Sequence, residues 1–284
     1  MNPRKISLDG STTVAEARAS APLLELFHEN TKYTRSRYPA QALTIARELT
    51  SRAAIEALSR NFKVYRFVER RALGPPAEPA MPLGAALRAR VSTREFTGAP
   101  LSLADLASVL VPALACNRRA AVRHLPSVEL RFRSYPSAGG EFPVEVYPIL
   151  LRVAEVPPCV THFDPRGGAL DVLQPLDSAA LEQALIADSG ISRAAAALLV
   201  FTAVFERSSV KYGDRAYRLA LLEAGHAAQN VCLTAAAAGI ASLAWGGFFD
   251  DALNRLLGVD GLVEAAVHAV FLGHAREAAR EKPA

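Results

Sequence analysis

The chain has 284 residues, 51% of them hydrophobic and 21% charged, a balance that supports a buried core and excludes an intrinsically disordered chain. Its net charge of +4 favours anionic ligands, yet no basic stripe interleaved with aromatic residues makes a case for nucleic acid. Three scattered cysteines, Cys116, Cys159 and Cys232, form neither a disulfide framework nor a zinc pattern, and they read as reduced thiols in a cytoplasmic protein.

The opening MNPRKISLDGSTT lacks the apolar stretch of a signal peptide. Residues 1–80 read as a helical amino-terminal arm with a proline-rich linker. Helices are expected over Thr13–Asn30 and Gln41–Asn61, the second with Leu43, Ile45, Leu49, Ile55 and Leu58 near helical spacing. Pro75, Pro76, Pro79 and Pro82 then mark the linker. The main domain is expected over 81–276, followed by a tail over 277–284. A short helix leads into RARVSTREF. Ser102 and Asp105 next predict a capped helix reaching about Ala115. VELRFRSYPS, from Val128, and Pro143–Val153 read as strands joined by a glycine turn. Ser178–Ala187 reads as a helix and the apolar run Ala196–Phe205 as a central strand.

Arg215–Ala238 carries the longest helical signal, with Tyr217, Ala220, Leu221, Ala224, Ala228, Val231 and Ala235 on one face and Gly239 as its cap. A strand in IASLAW, a helix in DDALNRLLG and a strand in AAVHAVFLG complete an α+β sandwich. Ala227–Phe249 is uncharged and long enough to span a bilayer. Its polar residues and three glycines instead fit a buried helix, turn and strand, so no membrane partner is expected.

Four clusters carry candidate chemistry. In the extended segment Arg90-Val-Ser92-Thr-Arg94, alternate residues face one side, where two guanidinium groups and a hydroxyl suit a phosphate monoester. Tyr135-Pro136-Ser137-Ala138-Gly139-Gly140 lets backbone N–H groups approach a planar ligand. Gly246-Gly247, between a strand and a helix, offers amides to a ring nitrogen. Lys211-Tyr212 precedes a helix, where a cation or burial would tune a base. Taken alone, these clusters equally fit a solvated basic turn, two ordinary turns and surface charge. Glu223 and His226 lie inside the alanine-rich helix and read as structural. The histidines lack any HExxH pattern, no metal is expected, and no GxGxxG occurs.

In order and spacing these clusters resemble the nitroreductase superfamily. From Gly84 to Gly273 the chain is more closely similar to the SagB-type dehydrogenases, FMN-dependent azoline oxidases of thiazole/oxazole-modified peptide pathways. RVSTREF, RSYPSAGGEFPVEVY, KYGDRAYRLALLEAGHAAQN and GGFFDDALNRLLGVDGLVEA carry the likeness, and Phe27–Lys32 (FHENTK) extends it into the arm. The resemblance implies a nitroreductase-like homodimer with two interfacial FMN sites. Arg90 and Ser92 would hold the phosphate, and Arg94 the ribityl or pyrimidine side. Pro136, Ser137, Ala138, Gly139 and Gly140 would reach in from the partner subunit, and Gly246 and Gly247 would line the ring near N5. Lys211 and Tyr212 map onto the catalytic pair, and a cyclodehydratase complex is an implied partner. Glu141-Phe142 departs from the Leu-Tyr often found after the glycine pair, which bears on substrate access, and Arg276 and Arg280 are further phosphate candidates. The rival readings are an NAD(P)H-dependent nitro- or quinone reductase and a flavin-bound scaffold subunit.

Overall fold

The computed structural model describes residues 7–8, 12–13 and 22–276. Seven strands form one antiparallel sheet: β1 (Glu69–Ala72), β2 (Val144–Leu150), β3 (Cys159–Asp164), β4 (Ala169–Pro175), β5 (Ala197–Val204), β6 (Ala241–Trp245) and β7 (Glu264–Gly273). Their spatial order is β6-β7-β5-β2-β3-β4-β1. Alternation splits the core across the sheet. Val144, Val146, Leu199, Phe201, Val270 and Leu272 face the helices Leu103–Leu114 and Arg215–Ala237. Tyr147, Ile149, Leu198, Val200 and Phe271 face the helices Ser178–Ala184 and Asp250–Leu257.

The expected α+β sandwich is therefore observed, and several local signals act as anticipated. Ser102 Oγ accepts from Asp105 N at 3.0 Å while the Asp105 carboxylate accepts from Ser102 N at 2.8 Å, a reciprocal capping box. Gly239, with φ of +73°, turns the chain out of the long helix as Ile240 N donates to Ala235 O at 2.8 Å. The uncharged run after Ala227 is the end of that helix, a turn and β6. Among the described residues no helix is long and apolar enough to cross a membrane, and no His/Cys/Asp/Glu group could hold a metal.

Other expectations need correction. The arm helix expected over Gln41–Asn61 is two helices, Tyr38–Thr50 and Arg52–Ser59. Ser51 is extended and caps the second by accepting from Ala54 N at 3.3 Å. Of the Thr13–Asn30 helix, Pro22–Asn30 is helical and residues 14–21 lie outside the described residues. The glycine turn does not join two paired strands. Leu125–Arg133 pairs with Cys116–Val122 in a separate ribbon, and the chain then crosses to β2. Tyr217 and Leu221 are 44% and 39% exposed, because the buried stripe is Ala216, Ala220, Ala224, Ala227, Ala228, Val231 and Ala235. Tyr217 instead stacks on Phe205 at 5.2 Å and meets the edge of Phe27 at 5.4 Å.

The hairpin β3–β4 has no apolar alternation in the sequence because it buries Thr161, His162, Asp164 and Asp171. Buried charge needs partners. His162 Nε2 lies 2.8 Å from Glu145, and Arg70 on β1 reaches Asp164 at 2.5 Å and Asp171 at 3.2 Å. Glu145 also pairs with Arg133 at 3.4 Å and with Arg207. Burial opposes its ionisation, but Arg207 and Arg133 overcome this and hold the carboxyl well below its usual range. The same arginines brace the loop after the ribbon: Arg207 donates to Phe142 O at 2.9 Å, and Arg133 to Tyr135 Oη at 2.8 Å and to Val144 O. Glu145→Leu is expected to cost about 3–5 kcal/mol by stranding buried cations. Glu182→Ala, which breaks the exposed and solvent-screened pair with Arg193, should cost far less. Urea unfolding of the two variants checks the contrast, and equal losses would contradict it.

Candidate active site

Lys211 and Tyr212 end the helix Glu206–Tyr212, and Gly213 breaks it before the long helix begins at Arg215. The Lys211 side chain is buried. Its Nζ donates to Glu141 Oε1 at 3.0 Å and to Gly139 O at 3.4 Å. A Cβ at position 139 would collide with Tyr212 Oη and lie 2.6 Å from Lys211 Nζ, so those side-chain tips would have to move. Gly139 has φ of +65° and Gly140 +71°, so the turn also needs the left-handed region. The glycine turn and the Lys-Tyr pair, with Gly139 and Lys211 lying 72 residues apart in sequence, thus form one cluster. Ser137 fixes the turn by accepting from Phe142 N at 2.8 Å, while Pro136 and Ala138 flank it.

From sequence, the neighbouring cation is expected to ease Tyr212 towards ionisation. The structure shows the reverse: burial, followed by the Glu141 carboxylate, raises its pKa, because Glu141 offsets the Lys211 charge. Tyr212 is therefore a protonated hydroxyl at neutral pH. Burial also raises Glu141, with Lys211 pulling the other way. Glu223, which reads from sequence as a structural helix residue, belongs to this cluster. It is buried, its Oε1 accepts from Val144 N at 3.4 Å, and it shares a hydrogen bond with the Ser137 side chain. Burial pushes its pKa up to about 7 against the pull of Ser137 and Arg133. No sequence motif announces this role; the cue is a carboxylate on the alanine stripe. His226 is exposed.

The phosphate-type cluster lies elsewhere. Ser92 bridges Ser242 on β6, and Thr93 N donates to Ser242 O at 3.0 Å. This docking buries Thr93 and leaves Ser92 and Arg94 exposed, with Arg90 half-buried. Arg88, Arg90, Thr93, Ala236, Gly239 and Ser242 line a cavity of about 370 Å³ at the carboxyl end of the long helix. Among the described residues, neither Arg90 nor Arg94 has a carboxylate partner, so both guanidinium groups are available to an anion. Gly246 borders open space, whereas a Cβ on Gly247 would lie 3.2 Å from Ile186 O, a packing reason for glycine at that position. Arg276 is tied to the same segment, donating from Nε to Phe96 O at 3.2 Å, and Arg280 lies outside the described residues.

Within one chain the two clusters stand at opposite ends of the 23-residue helix, about 34 Å at 1.5 Å per residue. The arm reaches the lysine end. Gln41 donates to Lys211 O, and Asn61 donates to Glu141 O at 2.6 Å. Arg215 donates to Thr31 O at 2.9 Å and Arg218 to His28 O at 3.1 Å. The FHENTK and DRAYR segments singled out in the sequence are thus in direct contact.

The nitroreductase family pattern matches residues 87–274. A protein of Methanocaldococcus jannaschii, named among the nitroreductases, is 32% identical over 174 residues, covering 59% of this chain and 80% of that protein. The microcin B17-processing protein McbC of Escherichia coli is 29% identical over 180 residues, covering 61% of this chain and 62% of McbC. Among solved structures, a nitroreductase-type protein from Anabaena variabilis superposes with a TM-score of 0.70 at 25% identity. That match covers 91% of this chain but 47% of the longer Anabaena chain. A chain of the E. coli microcin synthetase McbBCD complex, with truncated pro-MccB17 bound, superposes with a TM-score of 0.58 at 20% identity. It covers 95% of this chain and 100% of that one, and at that identity it shows a shared fold.

The raised Glu223 gives a signed pH dependence. A carboxyl with a folded pKa near 7 and an unfolded value near 4.3 contributes stability that is complete below the unfolded value. That contribution is lost as pH rises to 7 and beyond. Glu223→Gln removes the titration, so the gap between variant and wild-type melting temperatures should move in the variant's favour from pH 5 to pH 8. Thermal unfolding across that range is the check, and a constant gap would contradict it.

Proposed function

The chain belongs to the nitroreductase family, and from that premise we propose that it is an FMN-dependent azoline oxidase of the SagB type, converting peptide thiazolines or oxazolines to thiazoles or oxazoles. The observation that carries this reading is the buried Lys211 and the half-buried Tyr212 closed over the bare backbone of Gly139. A plain hydride-transfer reductase has no use for a second proton-handling group there. Likeness to the microcin-processing protein supports the same reading.

The residues present fit FMN. Among the described residues Arg90 and Arg94 have no carboxylate partner, and Arg90 lines a cavity, as a phosphate monoester requires. Ser92 is exposed beside them, and Gly246 opens onto free space that a ring could cover. FMN held there would supply the two-electron acceptor for the hydride that leaves the azoline ring. The remaining work falls to the protein. Lys211 Nζ is the group placed to take the proton from the α-carbon of the ring. Glu141, 3.0 Å away and raised by burial, is the hydrogen-bond partner through which that proton can be shared. Tyr212 stays protonated and orients the substrate by donating a hydrogen bond. Aromatisation supplies much of the driving force, so catalysis rests on positioning and on this proton path.

Because the two clusters lie about 34 Å apart along one helix, a complete site takes Arg90, Ser92, Arg94, Gly246 and Gly247 from one subunit. Pro136, Ser137, Ala138, Gly139, Gly140, Lys211 and Tyr212 come from the other, which makes the working unit a homodimer. By the same likeness, a peptide-cyclising complex is its partner, and the cytoplasm is its setting.

The test runs two assays on Lys211→Ala, Tyr212→Ala and wild type. Removing a general base costs about 10²–10⁴-fold, so azole formation from a thiazoline peptide should nearly vanish while FMN stays bound. NAD(P)H-driven nitroreduction should stay near wild type. If wild type forms no azole, tested with its partner enzymes and several peptides, yet reduces nitroaromatics briskly, the function is that of a general reductase. Bound FMN with neither activity would leave a scaffold subunit.

A further inference from the structure

A cavity of about 280 Å³ opens beside Lys211 and Gly139. Leu49, Ile55 and Leu58 of the arm form one wall, and Val122, Leu130 and Phe132 of the ribbon form the other. Its charged groups cancel, Glu48 and Glu141 standing against Arg131 and Lys211, and Glu141 is already paired with Lys211. A phosphate or carboxylate would gain nothing here, and the available guanidinium groups lie at the far end of the long helix. An apolar group would displace water from the aliphatic and aromatic surface of the two walls. The volume is close to the lower limit for ligand pockets, enough for one or two side chains and too small for a folded partner.

The arm is held in place by bonds that spare these walls. Gln41 and Asn61 reach the backbones of Lys211 and Glu141, and Lys63 reaches Tyr147 Oη at 2.6 Å and pairs with Glu264. The cavity wall and the Lys211 cluster are therefore one rigid assembly. Whatever occupies the cavity is positioned relative to Lys211.

We propose that this cavity is a specificity subsite for an aliphatic or aromatic side chain flanking the azoline in the substrate peptide, an inference that rests on the oxidase reading above. The arm then closes the subsite and makes Leu58 and Ile55 readers of peptide sequence. Leu49, Ile55, Leu58, Val122, Leu130 and Phe132 carry no titratable group, so the subsite they form acts on affinity and on kcat/KM.

The test uses the FMN-loaded dimer and two synthetic peptides, each with one thiazole flanked on both sides by leucine or by glycine. Calorimetric titration should show the leucine peptide binding wild type at least about tenfold more tightly. Leu58→Trp and Val122→Trp fill the cavity from opposite walls. Each should abolish that preference while keeping the flavin spectrum and the affinity for the glycine peptide. Equal affinities in wild type, binding of neither peptide, or a preference that persists in both variants would overturn the subsite.

The corresponding thiazolines are assayed for turnover in parallel. If the preference and its loss are seen but neither thiazoline is oxidised, the subsite holds and the oxidase reading falls. Turnover of both without a leucine preference in kcat/KM does the opposite.

Discussion

The carboxylate of Glu145, fully buried on the central strand β2, is the constraint on which the site depends. It meets Arg133 from the ribbon, Arg207 from the helix that ends in Lys211 and Tyr212, and His162 from the neighbouring strand. Three elements distant in sequence are fixed to one point, and the same arginines bind the backbone of the 135–144 loop. Gly139 is thereby held where Lys211 and Tyr212 converge. A buried ionic hub is costly to assemble and contributes little net stability; its use here is geometric, since the donors and acceptors of several elements are satisfied in a single arrangement.

Around that point the members of the cluster differ in role according to their environment. Glu141 and Glu223 are two carboxylates on either side of the glycine turn, both raised by burial. Glu141 faces Lys211 and the arm cavity, while Glu223 faces Ser137 and the start of β2. The first lies on the proton path of the proposed reaction. The second couples the turn to the long helix, whose alanine stripe lets the helix Leu103–Leu114 pack closely. At the other end of that helix, Gly239 turns the chain into β6, whose Ser242 anchors the Arg90–Arg94 segment. The long helix thus separates the Arg90–Arg94 segment from Lys211 and Tyr212 of the same chain, and in the proposed reading pairing of two copies brings them together.

Much of this was legible in the sequence where local rules govern. The capping box at Ser102, the Gly239 cap, the apolar strand β5 and the amphipathic long helix all follow from residue type and period. The hairpin β3–β4 was not legible, because His162, Asp164 and Asp171 occupy buried positions that only distant arginines and Glu145 make tolerable. Edge strand β1 reads as ERRA, charged as edges often are, and so gave no strand signal. In the site, the motifs were visible but their partners were not. Nothing local links Gly139 to Tyr212, or Glu223 to Ser137, and the effect of Glu141 on Tyr212 opposes what the adjacent lysine alone implied.

The central claim is that one working site takes its anion-binding residues from one chain and its proton-handling residues from another. Subunit mixing tests it most directly. The double variant Arg90→Ala/Arg94→Ala and the single variant Lys211→Ala, each inactive in azole formation, are unfolded reversibly or co-expressed to let chains exchange. Half of the mixed dimers would combine one chain of each kind and hold one intact site out of two, so activity should return to about a quarter of the wild-type value. Failure to recover activity, with mixed dimers demonstrated by mass and loaded with FMN, would place both sets of residues in a single chain's site and contradict the account.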